Sequence, residues 1–468
     1  MANSSLRHQN FIDSGKIKTL IQGSAPTEKT VEDILNKALK LKGLTLEEVA
    51  VLLRADTPEA VQKMMTCAGT VKEEIYGKRL VIFAPIYTGN VCVNNCTYCA
   101  FRVENKHLTR QVLNFNQIES EAISLLKDGH KRVLLICGES PRNQTDYMCE
   151  AIRTVYAAQY QNHRIKRINV ELAPMSVEDF RKIKAEHIGT YVCFQETYDP
   201  ELYPLYHPAG TPKADYLNRL TVMDRAMEAG IDDVGLGVLF GLADYRFEVL
   251  ALMEHARHLE DAFGCGPHTI SFPRIEPADN APLTQNIPHP VSDETFKKII
   301  AVIRMALPYT GIILSTREKD SLRSELFKYG VSQVSAGSRT NPGAYANPDD
   351  EHSGSQFSLG DHRTLEEVIS DMVGLGYVPS FCTGCYRMGR VGQDFMDLAK
   401  PGLIKTYCMP NALFSFKEYL LDFASESTRQ KGLQLIEQLK NIEPNENLKQ
   451  RVQTQLTDIE SGKRDVYF

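Results

Sequence analysis

An α/β architecture centred on a (β/α)8 TIM-type barrel follows from the order of apolar segments in this 468-residue chain. Short runs rich in β-branched and aromatic residues alternate eight times with amphipathic stretches of helical period, the pattern of parallel strands joined by right-handed crossover helices. An open doubly wound sheet would carry a G-x-G-x-x-G turn after its first strand; three cysteines stand there instead. A helical leader precedes the barrel and a mainly helical region follows it.

In the leader, residues 1–79, apolar side chains recur at helical spacing: Val31, Ile34, Leu35, Ala38 and Leu39, then Leu46, Val49 and Leu52. The barrel is expected over residues 80–340. Its strands fall at Leu80–Tyr87, Arg132–Gly138, Arg167–Ala173, Tyr191–Thr197, Asp233–Phe240, Thr269–Ile275, Gly311–Thr316 and Gln333–Ala336. Between them, Ile118–Lys127, Tyr147–Ala158, Val177–Glu186, Tyr216–Ala229, Arg246–Ala262, Ser292–Ala306 and Asp320–Lys328 have helical periodicity. From Thr340 the texture becomes NPGAYANPDDEHSGSQ, rich in Gly, Asn, Pro and Asp, which reads as a long loop leaving the barrel. Residues 341–468 then carry helices at Thr364–Val373, Leu413–Phe423, Thr428–Leu439 and Leu448–Ile459, together with a second group of cysteines.

A 43% hydrophobic content fills a large core, and the net charge of -6 is dispersed, so neither a nucleic-acid groove nor a polybasic membrane anchor is indicated. The start, MANSSLRHQNFIDSGK, lacks a signal-peptide core, and no stretch of about 18 apolar residues occurs. A cytoplasmic setting is expected, where eleven reduced cysteines, six of them in tight spacings, read as metal ligands rather than disulfides. Cys67, Cys137, Cys149, Cys193 and Cys265 lie singly and read as small packing residues.

Cys92, Cys96 and Cys99, spaced C-x3-C-x2-C directly after the first strand, fall on the loop side of a barrel where catalytic groups gather. Three thiolates from one short loop can hold three corners of a cubane 4Fe-4S cluster and leave the fourth iron open to an outside ligand. A structural zinc site would want a fourth protein ligand. Cys382, Cys385 and Cys408, spaced C-x2-C-x22-C, are again one thiolate short, with Gly384 freeing the backbone between the first two. A second cluster or a zinc site completed by a histidine are the two readings. His268, in C-G-P-H before strand six, stands at the barrel end opposite the first cysteine loop; it is either structural or a ligand for an additional iron there.

The loop C-V-N-N-C-T-Y-C resembles the motif of the radical S-adenosylmethionine (SAM) superfamily, whose open iron is chelated by the amino and carboxylate groups of SAM. The resemblance implies that Gly138 and Glu139 bind the SAM amino group. It also implies that Gly235-Leu236-Gly237-Val238-Leu239 with Gly241 lies against the adenine, Gly237 and Leu239 being the binding candidates. Glu171 and Glu196, ending strands three and four, are placed to accept hydrogen bonds from ribose hydroxyls or ammonium groups; as strand-end carboxylates they can equally be helix caps or surface groups.

The cysteine loop, G-E, Q-E-T-Y, P-H-T-I-S-F-P-R and the C-x2-C-x22-C tail together resemble the tyrosine-lyase family of FeFe-hydrogenase maturases from about Leu80 to Cys408. The barrel motifs alone are shared with the 2-iminoacetate synthases of thiazole synthesis; the tail cysteines select the maturase. The resemblance implies one-electron cleavage of SAM to a 5′-deoxyadenosyl radical, which takes a hydrogen atom from the amino group of L-tyrosine. Breaking Cα–Cβ gives p-cresol and dehydroglycine, and the latter becomes carbon monoxide and cyanide at a second 4Fe-4S cluster. There an extra iron, held with free cysteine and His268, collects them as an Fe(CO)2(CN) unit. An electron donor and other hydrogenase maturation proteins are the implied partners. For the tyrosine carboxylate, Arg323 or Arg317, with Ser315 or Ser321 nearby, follow strand seven at the SAM mouth; Arg274 and Glu276, at the end of strand six, are second candidates for contacts at that mouth. Each arginine can equally be an ordinary surface ion pair.

Overall fold

The computed structural model describes residues 3–347, 354–440 and 445–468. Its centre is a closed ring of eight parallel strands: β1 (Arg79–Gly89), β2 (Arg132–Cys137), β3 (Arg167–Glu171), β4 (Tyr191–Glu196), β5 (Val234–Val238), β6 (Thr269–Ser271), β7 (Gly311–Leu314) and β8 (Gln333–Ser335). Consecutive strands pair in order, and β8 closes on β1 through Val81↔Gln333 to Phe83↔Ser335. All eleven residues of β1 are buried, as expected of a strand covered by helices outside and side chains inside.

Helices cross between the strands as the periodicity implies, except that the stretch over Tyr216–Ala229 is two helices, Tyr216–Leu220 and Val222–Glu228. Thr221 lies at the junction, its hydroxyl bonded back to the Leu217 carbonyl at 2.9 Å. Reciprocal capping boxes at Thr45 and Asn114 start the helices Leu46–Leu53 and Phe115–Lys127. The leader forms Ser14–Ile21, Glu28–Ala38, Leu46–Leu53 and Pro58–Tyr76, the last packing along the barrel helix Asp293–Ala306. Among the described residues no helix is long and apolar enough to cross a membrane.

Two features alter the expected layout. The turn-rich segment after Thr340 crosses the barrel mouth rather than leaving it: Gly354 accepts from the Asn90 amide at 3.2 Å, and Gln356 reaches Tyr87 and the first cysteine loop. The middle of that segment, 348–353, lies outside the described residues. The chain then returns to the opposite end of the barrel as a ninth strand, β9 (Val378–Ser380), parallel to the start of β1. Val81 pairs with Gln333 of β8 and with Ser380 of β9, so β9 occupies the edge of β1 that β2 takes over from Ala84 onward. It therefore lies beneath the start of β2 and runs straight into Cys382.

Candidate active site and second cysteine centre

Leaving β1, the chain enters the cysteine loop at the carboxyl-terminal mouth of the barrel. The Cys99 amide donates to the Cys96 carbonyl, and the loop is seated in apolar surroundings: Cys96 among Tyr98, Tyr206, Leu239, Leu242 and Ile275, and Cys92 and Cys99 beside Tyr87, Ala100 and Phe101. Two amides point at sulfur, Asn94 Nδ2 at 3.8 Å from Cys92 Sγ and Gln356 Nε2 at 3.7 Å from Cys99 Sγ. Burial pushes the Cys99 thiol up to about 12 and raises Cys96 as well. Such thiols ionise only against a compensating positive charge, which cluster iron supplies. Among the described residues no three His, Cys, Asp or Glu side chains converge on one metal ion; a cubane spreads its irons over separate corners, so its thiolates need not. The donor set fits a 4Fe-4S cluster.

The segment after β2 lies against this loop. A Cβ at Gly138 would sit 2.5 Å from the Val91 carbonyl oxygen and 3.1 Å from Cys92 Cβ, so only glycine allows the approach. Glu139 then bridges to the loop through its own carbonyl, which accepts from Val93 N, and through its carboxylate, which accepts from Asn94 Nδ2 at 2.6 Å.

Glu196 adopts φ +70° at a bulge where β4 shifts register against β5, a conformation that re-aims its side chain. Burial opposes its ionisation, but Lys213 at 2.6 Å and Arg219 at 4.0 Å outweigh it and hold the carboxyl below its usual range. Among the described residues Glu171 has no such pair; burial, reinforced by the charge of Glu196, pushes it up to about 7. A Cβ at Gly237 would fall 2.3 Å from the Phe194 ring, and Leu239 joins the apolar group around Cys96.

Beneath the mouth the barrel encloses a cavity walled by Phe83, Tyr87, Leu134, Phe194 and Phe357, with Asn169, Glu171, Ser315 and Arg317 as polar groups. The Arg317 guanidinium stacks on Phe357, 3.4 Å from the ring centroid. Arg323 does not reach this cavity. It is fully buried, paired with Asp361 and bonded to the Ser335 carbonyl, and Ser321 is exposed at the start of the helix Asp320–Leu326. Arg274 is likewise engaged, with Glu318 and with Asp293 at 2.8 Å, while burial raises the nearby Glu276 to about 6. The structure thus brings Ser315 and Arg317 together and sets Arg323 and Ser321 apart from them.

The second set lies at the other end. Cys382 follows β9, the Gly384 amide donates to its sulfur at 3.3 Å, and Cys385 comes one turn later. Cys408, in the first turn of the helix Lys405–Asp422, returns to them, and its thiol, hydrogen-bonded to Cys385, draws the Cys385 value down. These three cysteines and His268 line one chamber with Arg79, Arg132, Tyr386 and Gln333. His268 Nε2 lies 2.9 Å from the Tyr386 hydroxyl and Nδ1 3.4 Å from Asp233, and burial drives the imidazole down to about 4. A neutral imidazole is the ligating form. Gln333 also borders the upper cavity, so the two spaces share a wall residue.

Sequence reasoning did not find Lys213, Arg219, Asn94, Gln356, Tyr386, Arg79, Arg132 or Gln333. Tyr386 was nearest to hand, being the residue after Cys385; the rest come from separate segments and join only through the barrel.

Residues 86–256 match the Radical SAM superfamily and residues 271–378 the Biotin and Thiamin Synthesis associated domain. The 2-iminoacetate synthase of Salmonella typhimurium is 29% identical over 367 residues, 78% of this chain and 94% of that protein. A crystal structure of HydG, a maturase of the FeFe-hydrogenase, superposes with a TM-score of 0.94 at 46% identity, covering 98% of this chain and 100% of the other. HydG from Carboxydothermus hydrogenoformans gives 0.80 at 41% identity, with 95% and 100% covered.

Proposed function

Since this chain belongs to the HydG family of radical SAM enzymes, we propose that it is a tyrosine lyase of FeFe-hydrogenase maturation. It cleaves L-tyrosine at Cα–Cβ to p-cresol and dehydroglycine and converts the latter to carbon monoxide and cyanide for the hydrogenase cofactor. The two fragments together contain the atoms of tyrosine, and dehydroglycine, HN=CH–COOH, is the sum of HCN, CO and water, so neither cleavage needs an oxidant. Cys92, Cys96 and Cys99 hold a SAM-binding 4Fe-4S cluster; Cys382, Cys385 and Cys408 hold a second, with an extra iron attached through His268 and free cysteine. Bound SAM would supply the radical that starts the reaction, and an outside protein supplies two electrons, one to generate that radical and one that, with a proton, replaces on p-cresol the hydrogen atom carried off in 5′-deoxyadenosine.

The chain's own residues supply the rest. Asn94 and Gln356 donate toward the first thiolates, which lowers the charge they push onto the iron. Glu139, Glu171 and Glu196 surround the cofactor with acceptors, and Gly237 and Leu239 offer it a flat apolar wall. Arg317 and Ser315 hold the tyrosine carboxylate, and the aromatic lining excludes water from the radical. The observation that carries this reading is the placement of two incomplete cysteine sets at opposite ends of one barrel, with Gln333 bordering the spaces before both.

The test is anaerobic reconstitution followed by SAM, dithionite and tyrosine. 5′-Deoxyadenosine, p-cresol, cyanide and carbon monoxide are expected; their absence with both clusters loaded would refute the proposal. The similarity to 2-iminoacetate synthase favours a second reading, in which dehydroglycine is the end product. Ser in place of Cys382, Cys385 and Cys408 separates them, since an end-product lyase would lose nothing.

A further inference from the structure

We infer that Glu121 anchors the segment crossing the barrel mouth and thereby sets where Gln356 meets Cys99 and Phe357 meets Arg317, a positioning role that deepens the proposed function and rests on it. Glu121 is fully buried in the helix Phe115–Lys127. Its Oε1 accepts from Ala346 N at 2.7 Å, and its Oε2 is buried with no hydrogen-bond partner among the described residues. Burial pushes the carboxyl up to about 7, and what draws it back is backbone, the amides of Ala346, Tyr345 and Gly343. Among the described residues no Lys, Arg or His side chain bonds it.

A buried carboxyl destabilises a fold unless donors meet it, and an apolar residue would pack on the inner face of a helix without that cost. Ile118, Ala122, Leu125 and Leu126 do so on the same helix. Glu121 breaks the pattern where the segment passes, which ties its presence to those amides.

From this anchor hydrogen bonds run toward both centres at the mouth. Tyr345, beside Ala346, accepts from Arg339 N through its hydroxyl at 3.1 Å. Thr340, the next residue, holds the returning part of the segment at two points: its carbonyl accepts from Gln356 N at 3.0 Å, and its hydroxyl donates to Phe357 O at 3.1 Å. The Gln356 carbonyl accepts from Ala100 N while its side chain reaches Cys99, and the Phe357 ring carries the Arg317 guanidinium. A shift of the anchor therefore displaces both a donor to the first cysteine loop and the surface that orients Arg317. Gln111 Nε2, bonded to the Pro342 carbonyl at 2.8 Å, is a second hold, so loss of Glu121 loosens the segment rather than releasing it.

The test uses the reconstituted full chain with Glu121→Leu, which keeps bulk and removes the acceptor, and Glu121→Gln, which keeps an acceptor and puts its NH2 where Oε2 already lacks a partner. Ile152→Ala, a core truncation in the next helix, Thr145–Ala157, controls for lost stability. Backbone amide exchange, the SAM-induced EPR change of the first cluster, and KM and kcat for tyrosine are measured on each. Glu121→Leu should exchange the amides of residues 343–346 about tenfold faster, alter the SAM-induced signal and raise KM about fivefold with a smaller change in kcat, while Glu121→Gln stays within about twofold of wild type. Ile152→Ala should lower the melting temperature and leave signal and KM in place. Faster exchange in Glu121→Leu with unchanged signal and KM would make the residue a structural tie only and overturns the inference; so does an equal shift in Ile152→Ala, or Glu121→Gln as impaired as Glu121→Leu. Should Glu121→Leu not fold, Glu121→Asp, whose acceptor is withdrawn by one methylene, is read by the same outcomes. Wild type that binds SAM but consumes no tyrosine refutes the proposed function instead, and the exchange and EPR measurements still decide the anchor.

Discussion

The hydroxyl of Tyr386 lies 2.9 Å from Nε2 of His268, tying the residue after Cys385 to the residue before β6. The other ring nitrogen, Nδ1, faces Asp233 Oδ1 at 3.4 Å. Asp233 in turn accepts from the Gly392 amide at 3.1 Å, which fixes the ring from behind.

In the proposed function this imidazole is a ligand of the extra iron. His268→Ala should lower the iron content of reconstituted protein and reduce carbon monoxide yield, with p-cresol still formed. Tyr386→Phe should lose about 1 kcal/mol of stability and keep the iron. Iron assay and product analysis on both variants check this; equal iron in His268→Ala and wild type would remove His268 from the ligand set.

Arg317 and Arg323 should separate cleanly. Arg317→Met removes a cavity-lining cation and should raise KM for tyrosine about tenfold or more, with little change in melting temperature. Arg323→Met removes one of the two arginines on the buried Asp361 carboxylate, leaving Arg363 in place, and should cost about 1.5–3 kcal/mol of stability. Thermal denaturation beside steady-state kinetics distinguishes the two effects.

That difference marks where sequence reading stops. The eight barrel strands were legible because strands buried on both faces leave short continuous apolar runs. Both cysteine sets were legible because metal-ligand spacing is local. Arg323 follows β7 as Arg317 does, and what decides its role is Asp361, 38 residues further on. Val378-Pro379-Ser380 is too short, and contains proline, to announce a strand, so the position of β9 beneath β2 was not visible. The composition after Thr340 reported irregular backbone correctly but carries no information about its route, and so Gln356 at Cys99 went unseen.

Gly138→Ala tests the seating of the first cysteine loop. The added methyl would meet backbone, the Val91 carbonyl at 2.5 Å, so the loop rather than a flexible side chain must move. The variant should fold, hold less iron at the first site and lose SAM cleavage, with the second cluster's EPR signal retained. Full SAM cleavage in Gly138→Ala would show that the approach is not required.

Glu248 supplies a pH test remote from both cysteine sets. It is fully buried behind β4, where its carboxylate accepts from the Thr197 hydroxyl and from Tyr198 N at 2.9 Å, holding the turn after Glu196. Burial pushes its carboxyl up to about 8, above the ordinary 4.5, and these two donors offset only part of the shift. A carboxyl whose folded value is raised favours the native state below the unfolded value, and that contribution is lost as pH climbs through the folded value. Between pH 4.5 and about 8 the unfolded chain ionises Glu248 while the native chain does not, so stability should fall with pH by up to about 1.4 kcal/mol per unit from this group. Glu248→Gln, which keeps an acceptor for one of the two donors and cannot ionise, should flatten that slope. Denaturant melts of apoprotein at pH 5, 6.5 and 8, roughly spanning the window, measure it, and parallel slopes in wild type and variant would show that Glu248 is charged in the native protein.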